Sequence, residues 1–169
     1  MQPKILDNNA VILIVNDFRM GGGAEQVYRD TLGLSIENFQ LEAFYATEEH
    51  ALPKNPFRYI YSIYYRRKLL KALKTYKPKA VHFHNFYHLL TPSVLAAVKW
   101  YRKKIDPELK VIFTAHDYHL ICPNSGLYRF ENSQHKHKVS KIDKELSLID
   151  LLLFKFDHRG LLFSGLKKM

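Results

Sequence analysis

The chain has 169 residues, 47% hydrophobic and 25% charged, a length and balance suited to one folded domain. This composition excludes disorder, the single cysteine excludes a disulfide framework, and no apolar run reaches the roughly 18 residues of a membrane span. Lysine and arginine number 26 against 16 aspartate and glutamate, a net charge of +10 that draws anions.

The start, Met1-Gln2-Pro3-Lys4, lacks the apolar core of a secretory signal, which predicts a cytoplasmic chain. Ala10–Val15 is a continuous branched apolar run and predicts a strand buried on both faces, the kind found in parallel sheets. Asn16–Gly23 reads as a loop ending in three glycines, and Ala24–Leu34 as a helix with Val27, Leu32 and Leu34 on its apolar side. Phe39–Ala46 alternates Phe39, Leu41, Ala43 and Tyr45 with other residues, a second strand, and Arg58–Ser62 suggests a short third. Tyr64–Tyr76 is a basic amphipathic helix with Leu69, Leu70, Leu73 and Tyr76 on one side, ended by Lys77-Pro78. Ala80–His84 is a strand. Thr91-Pro92-Ser93 opens a helix running to about Lys104, and Lys110–Ala115 is the next strand. Asp117–Ile142 reads as a long loop, Lys144–Phe156 as an apolar helix, and His158–Met169 as an interrupted one. Strands alternating with helices predict an α/β fold, a Rossmann-like parallel sheet flanked by helices.

The positive charge is concentrated. Between His50 and Ile105 there is no acidic residue, while 13 of the 26 basic ones lie there. Such a field suits nucleic acid, acidic lipid headgroups or phosphorylated small molecules, or is the solvated face of two helices. Nucleic acid is set aside, because the chain shows no zinc-finger spacing, RNA-binding sheet signature or helix-turn-helix punctuation. An inner-membrane surface or a phosphate-bearing substrate fits the same charge, and the basic helices at Tyr64–Tyr76 and Val94–Lys104 suggest docking to anionic membrane.

Gly21-Gly22-Gly23 follow a predicted buried strand and open a helix at Ala24. Glycine there allows positive φ and close approach of a ligand, and the helix N-terminus favours phosphate. Neither the dinucleotide nor the P-loop pattern is present, and Glu25 in the first turn would repel an anion. His82 and His84 lie two apart on a strand and so share a face. His88, His116 and His119 follow strands, and ligands of open parallel sheets bind beyond the strands' carboxyl ends. Cys122, followed by Pro123, lacks the surroundings of an activated thiol and reads as a packing residue.

Three segments together resemble glycosyltransferase family 4, retaining enzymes of the GT-B fold. These are Gly21-Gly22-Gly23-Ala24-Glu25, the run Lys77-Pro78-Lys79-Ala80-Val81-His82-Phe83-His84-Asn85 with Leu90-Thr91-Pro92-Ser93, and Thr114-Ala115-His116-Asp117-Tyr118 with Leu120-Ile121-Cys122-Pro123-Asn124. Where the family's second segment carries Asp after Lys-Pro, this chain has Lys79. The resemblance implies transfer of a sugar from a nucleotide-diphosphate sugar to a glycan or lipid-linked acceptor, with no metal or other cofactor. By position it places Gly21, Gly22, Gly23 and Ala24 near the donor diphosphate and makes His116 and Asp117 catalytic. It gives Asn85, His84, Tyr118 and Asn124 to the acceptor. It further implies that residues 1–169 are one truncated, N-terminal acceptor-side domain, inactive without a donor-binding domain beyond Met169.

Other readings of the same residues are a half-enzyme subunit needing a separate donor-binding chain, a metal-dependent hydrolase using His82, His84 and His116, and a non-catalytic polyanion-binding module.

Overall fold

The structure is a computed structural model that describes residues 10–47, 61–118, 128–130, 139–141 and 149. The chain divides into two units, Met1–Thr114 and Ala115–Met169.

The first unit runs β1 (Ala10–Asn16), α1 (Gly23–Leu32), β2 (Phe39–Tyr45), α2 (Ile63–Tyr76), β3 (Ala80–Phe83), α3 (Ser93–Lys104) and β4 (Lys110–Phe113). Its four strands are all parallel, in the order β2-β1-β3-β4. This is the α/β, Rossmann-like arrangement anticipated from the alternating pattern. The centre strand β1 is written as an unbroken apolar run up to Asn16, since both of its faces are covered, while β3, also central, carries His82 between Val81 and Phe83.

One face carries the main core. Leu13 and Val15 of β1 and Val81 and Phe83 of β3 pack with Tyr65, Leu69 and Leu73 of α2 and Val94, Ala97, Val98 and Tyr101 of α3. Leu13, Leu69, Leu73 and Val94 are wholly buried, each contributing about 1.5–3 kcal/mol of transfer free energy. Leu70 and Tyr76 pack partly against this cluster, so the apolar stripe of α2 is as anticipated.

The other face is covered by α1, through different residues than its sequence suggests. Tyr28 and Glu25 are buried, whereas Val27 and Leu34 are exposed. Tyr28 spreads a large ring over the sheet, so the helix rests on that ring rather than on its aliphatic side chains. β2 differs in a similar way. As an edge strand it leaves Phe39 exposed and buries Phe44 into the α2 side, the opposite parity to the alternation read from the sequence.

The starts of α2 and α3 are knotted together. Ser62 Oγ caps α2 by accepting the Tyr65 N–H, and Ser62 N–H donates to Thr91 Oγ1 at 3.0 Å. Thr91 Oγ1 lies 3.0 Å from Ser93 Oγ, which in turn lies 2.9 Å from the Ser62 carbonyl. Thr91 makes these bonds from a left-handed backbone, φ 58°, an unfavourable conformation for a β-branched residue. Ser62 is therefore a helix cap and not the end of a strand; the other residues anticipated as that strand, apart from Tyr61, lie outside the described residues.

In the second unit, β5 (Tyr128–Phe130) pairs antiparallel with β6 (Val139–Lys141). Both fall in the stretch read from sequence as a long loop. The helices anticipated over Lys144–Phe156 and His158–Met169 lie outside the described residues, apart from Ile149, which is helical and exposed. Among the described residues no helix is long and apolar enough to cross a membrane.

Candidate functional site

From β1 the chain moves outward to β2 and then returns across the sheet to β3. The loops leaving β1 and β3 therefore separate at the point where strand order reverses, the place where such sheets open a crevice.

Asp17 organises this end of the sheet. It is fully buried just past β1. Its Oδ2 accepts the His88 N–H at 2.7 Å, and its Oδ1 accepts the Leu89 N–H at 3.0 Å and the Leu90 N–H at 2.8 Å. One side chain thus supplies acceptors for the whole turn after β3, whose backbone donors would otherwise be costly to bury. Burial pushes the carboxyl above its ordinary 3.8; the N–H donors and the nearby His88 oppose that push without cancelling it.

The glycine loop is set from the other side by Glu25. Gly22 caps α1 but has no side chain to offer its first turn. Glu25 turns back instead, and its Oε2 accepts the Gly22 N–H at 2.8 Å, half of a capping box. Gly21 has φ +152°, and a Cβ there would lie 3.2 Å from Glu25 Oε2. Asn16 Nδ2 donates to the Phe18 carbonyl at 2.8 Å and reaches Glu25 Oε1 at 3.4 Å. From further along α1, Arg29 donates to the Arg19 carbonyl at 3.2 Å. The loop is fastened at both ends.

Between the two loops lies an open cleft of about 490 Å³, lined by Phe18, Met20, Gly21, Gly22, Gly23, Ala24, Glu25, Asn85 and His88. The Phe18 and His88 rings stand 5.9 Å apart. Asn85 Oδ1 accepts the Tyr87 N–H at 3.3 Å, which fixes the bend out of β3.

The structure therefore brings Gly21, Gly22, Gly23, Ala24 and Asn85 together on one cleft. His84 is not among the lining residues. It is 2% exposed, its ring edge-on to Tyr28 at 5.9 Å and tilted against His82 at 4.5 Å. His82 Nε2 is 2.8 Å from Thr114 Oγ1. His116, Asp117 and Tyr118 follow β4 and belong to the second unit. His119, Cys122 and Asn124 lie outside the described residues.

Sequence reading passed over Asp17 and took Glu25 only as a first-turn acid. A carboxylate directly after a buried parallel strand was the available signal for Asp17. The spacing of Glu25 three residues after Gly22 was the signal for a cap.

The chemistry of the cleft follows from its lining. Among the described residues no lysine or arginine lines it, and the Gly22 N–H is already bonded to a carboxylate. The first-turn N–H groups of Gly23 and Ala24 have no acceptor inside the helix. What remains is a carboxylate, an amide, an imidazole and backbone donors beside two apolar side chains, a set matched to a neutral polyhydroxyl ligand. Among the described residues, no group of three or more His, Cys, Asp or Glu is placed to hold a metal ion.

Set against family models, curated proteins and solved structures, the chain matches none of them.

Proposed function

We propose that this chain is the acceptor-side, N-terminal part of a retaining glycosyltransferase that moves a sugar from a nucleotide-diphosphate sugar to a glycan or lipid-linked acceptor. The observation that carries the reading is the cleft where the loops after β1 and β3 diverge. It gathers the glycine loop and Asn85, residues that the motif resemblance assigns to ligands, within one cavity of about 490 Å³. On this reading the cleft holds sugar hydroxyls. The Glu25 carboxylate accepts from one hydroxyl, Asn85 and His88 donate or accept at others, and Phe18 lies against an apolar sugar face.

The Glu25 carboxylate sharpens the assignment of the glycine loop. A donor diphosphate at Gly21–Ala24 meets the Glu25 carboxylate and, among the described residues, no lining cation, so on this reading its charge is balanced by other groups. His116 and Asp117 keep the catalytic role that the resemblance gives them, as part of the proposal.

Saturation-transfer NMR with methyl glycosides and nucleoside diphosphates tests the proposal. The expected result is transfer to one or more glycosides, removed by Asn85→Ala, and weak or no transfer to nucleoside diphosphates. Absence of transfer to every glycoside, with the protein folded, would overturn the reading.

A further inference from the structure

We infer that the sugar taken by the cleft after β1 and β3 is an amino sugar, whose free ammonium group is received by Glu25. The inference rests on the reading of this cleft as a sugar site and names the class of sugar.

Glu25 lines the cleft although it is only 7% exposed. A carboxylate so far withdrawn from water is costly unless a cation or a full set of donors meets it. Its partners here are neutral. Oε2 accepts the Gly22 N–H at 2.8 Å, and Oε1 is reached by Asn16 Nδ2 only at 3.4 Å. A carboxylate offers about four acceptor positions, so most of that capacity is left for a ligand.

The cations nearest in the chain are turned elsewhere. Arg29 donates to the Arg19 carbonyl and to Gln26 Oε1, and the Arg19 guanidinium stands 5.6 Å from the centre of the Tyr45 ring. In a chain with a net charge of +10, this cleft is lined by a carboxylate and, among the described residues, by no lysine or arginine.

The end of β1 adds to the excess of acceptors. Asn16 Oδ1, wholly buried beside Glu25, meets no donor among the described residues. Asp17, next in the chain, differs, because its oxygens are spent on three backbone N–H groups. The set at Glu25 calls for a donor that carries positive charge. An ammonium has three N–H donors and no acceptor. A neutral sugar can use every hydrogen bond of this cleft, and the ammonium adds the charge balance that a hydroxyl cannot. Phe18, on the same cleft and 36% exposed, offers a ring face that also attracts a cation. Asn85 and His88, from the facing loop, are left for the hydroxyls.

The test is ligand-observed NMR titration of the full chain with methyl glucosides and galactosides. They are compared in trios carrying a hydroxyl, a free amine or an N-acetylated amine, at carbon 2 and at carbon 6. In one trio or more the free amine is expected to bind about tenfold more tightly than both neutral partners, the margin of a charge-assisted over a neutral hydrogen bond. The margin should shrink in 1 M salt and fall to about one in Glu25→Gln. Circular dichroism checks that the variant is folded, and the trios on the unaltered chain decide the matter without it. Equal binding within every trio would overturn the inference and leave the sugar-site reading standing, whereas binding of no glycoside at all would overturn both. A preference that persists in Glu25→Gln would place the ammonium elsewhere and overturn the inference. Cyclohexylammonium binding as tightly as the preferred amino sugar would show an unselective cation site and overturn it as well.

Discussion

Asp17 and Leu90 are separated by 73 residues of chain, yet Asp17 Oδ1 accepts the Leu90 N–H at 2.8 Å. Through that bond, and those to His88 and Leu89, the end of β1 fixes the turn that follows β3. The cleft has its shape because these two loops are held by one carboxylate.

Asp17→Ala is therefore expected to leave three backbone donors without their acceptor. The cost should be on the order of 3 kcal/mol or more, at about 1–3 kcal/mol for each buried group left unsatisfied. Asp17→Asn retains one carbonyl acceptor and should cost less. Urea unfolding of both variants checks this, and equal stability of Asp17→Ala and wild type would show that the turn holds itself.

Glu25→Gln separates the structural role of that side chain from its electrostatic one. The amide carbonyl can still accept the Gly22 N–H, so the stability loss should stay within about 1 kcal/mol, the typical worth of a cap. The charge is gone, however, and pyrophosphate binding at the glycine loop should strengthen. Calorimetric titration of both proteins with pyrophosphate reads the effect. Unchanged or weaker binding in the variant would mean that Glu25 does not repel an anion there.

Lys77 ends α2 in the left-handed region at φ 46°, with its N–H donating to the Leu73 carbonyl at 2.9 Å. That conformation costs an L-residue with a Cβ about 1–2 kcal/mol and glycine almost nothing. Lys77→Gly should raise the urea midpoint, stabilising the fold by roughly 1 kcal/mol at unchanged slope. A lowered midpoint would show that the Lys77 side chain contributes more than its backbone strain.

Burial raises the phenols of Tyr28, Tyr65, Tyr76 and Tyr101 above the ordinary 10.0. Their neutral forms are favoured by the fold, so this stabilisation is complete below the unfolded value and is lost as pH rises through the raised ones. Of the 11 tyrosines, these four should ionise late and together with unfolding. Tyrosinate absorbance followed beside circular dichroism tests it. All tyrosines ionising near the ordinary value with the fold intact would contradict the burial described.

The elements that were legible in the sequence are those whose signal is local. β1 is a continuous apolar run because both its faces are covered, and the Leu69 and Leu73 stripe of α2 marks its buried side. The misread elements depend on neighbours. Whether Phe39 or Phe44 goes inward is decided by β2 being an edge strand, which no property of its seven residues states. Tyr28 displaces Val27 as the buried face of α1 because of what lies beneath it, a His84 ring. At the cleft, glycines and Asn85 were visible as motifs. Asp17 was not, since its partners are backbone groups more than 70 residues away.

The knot of Ser62, Thr91 and Ser93 has a mechanical consequence. Leu90, held by Asp17, is the residue immediately before Thr91, which is held by Ser62. The outer helices and the floor of the cleft thus meet at adjacent peptide units, with no slack chain between them. Tilting α2 pulls on Thr91, already in an unfavourable twist, and the next bond along the backbone is the turn bearing His88. Load applied to one side of the sheet is delivered to the mouth of the other as displacement instead of being absorbed on the way.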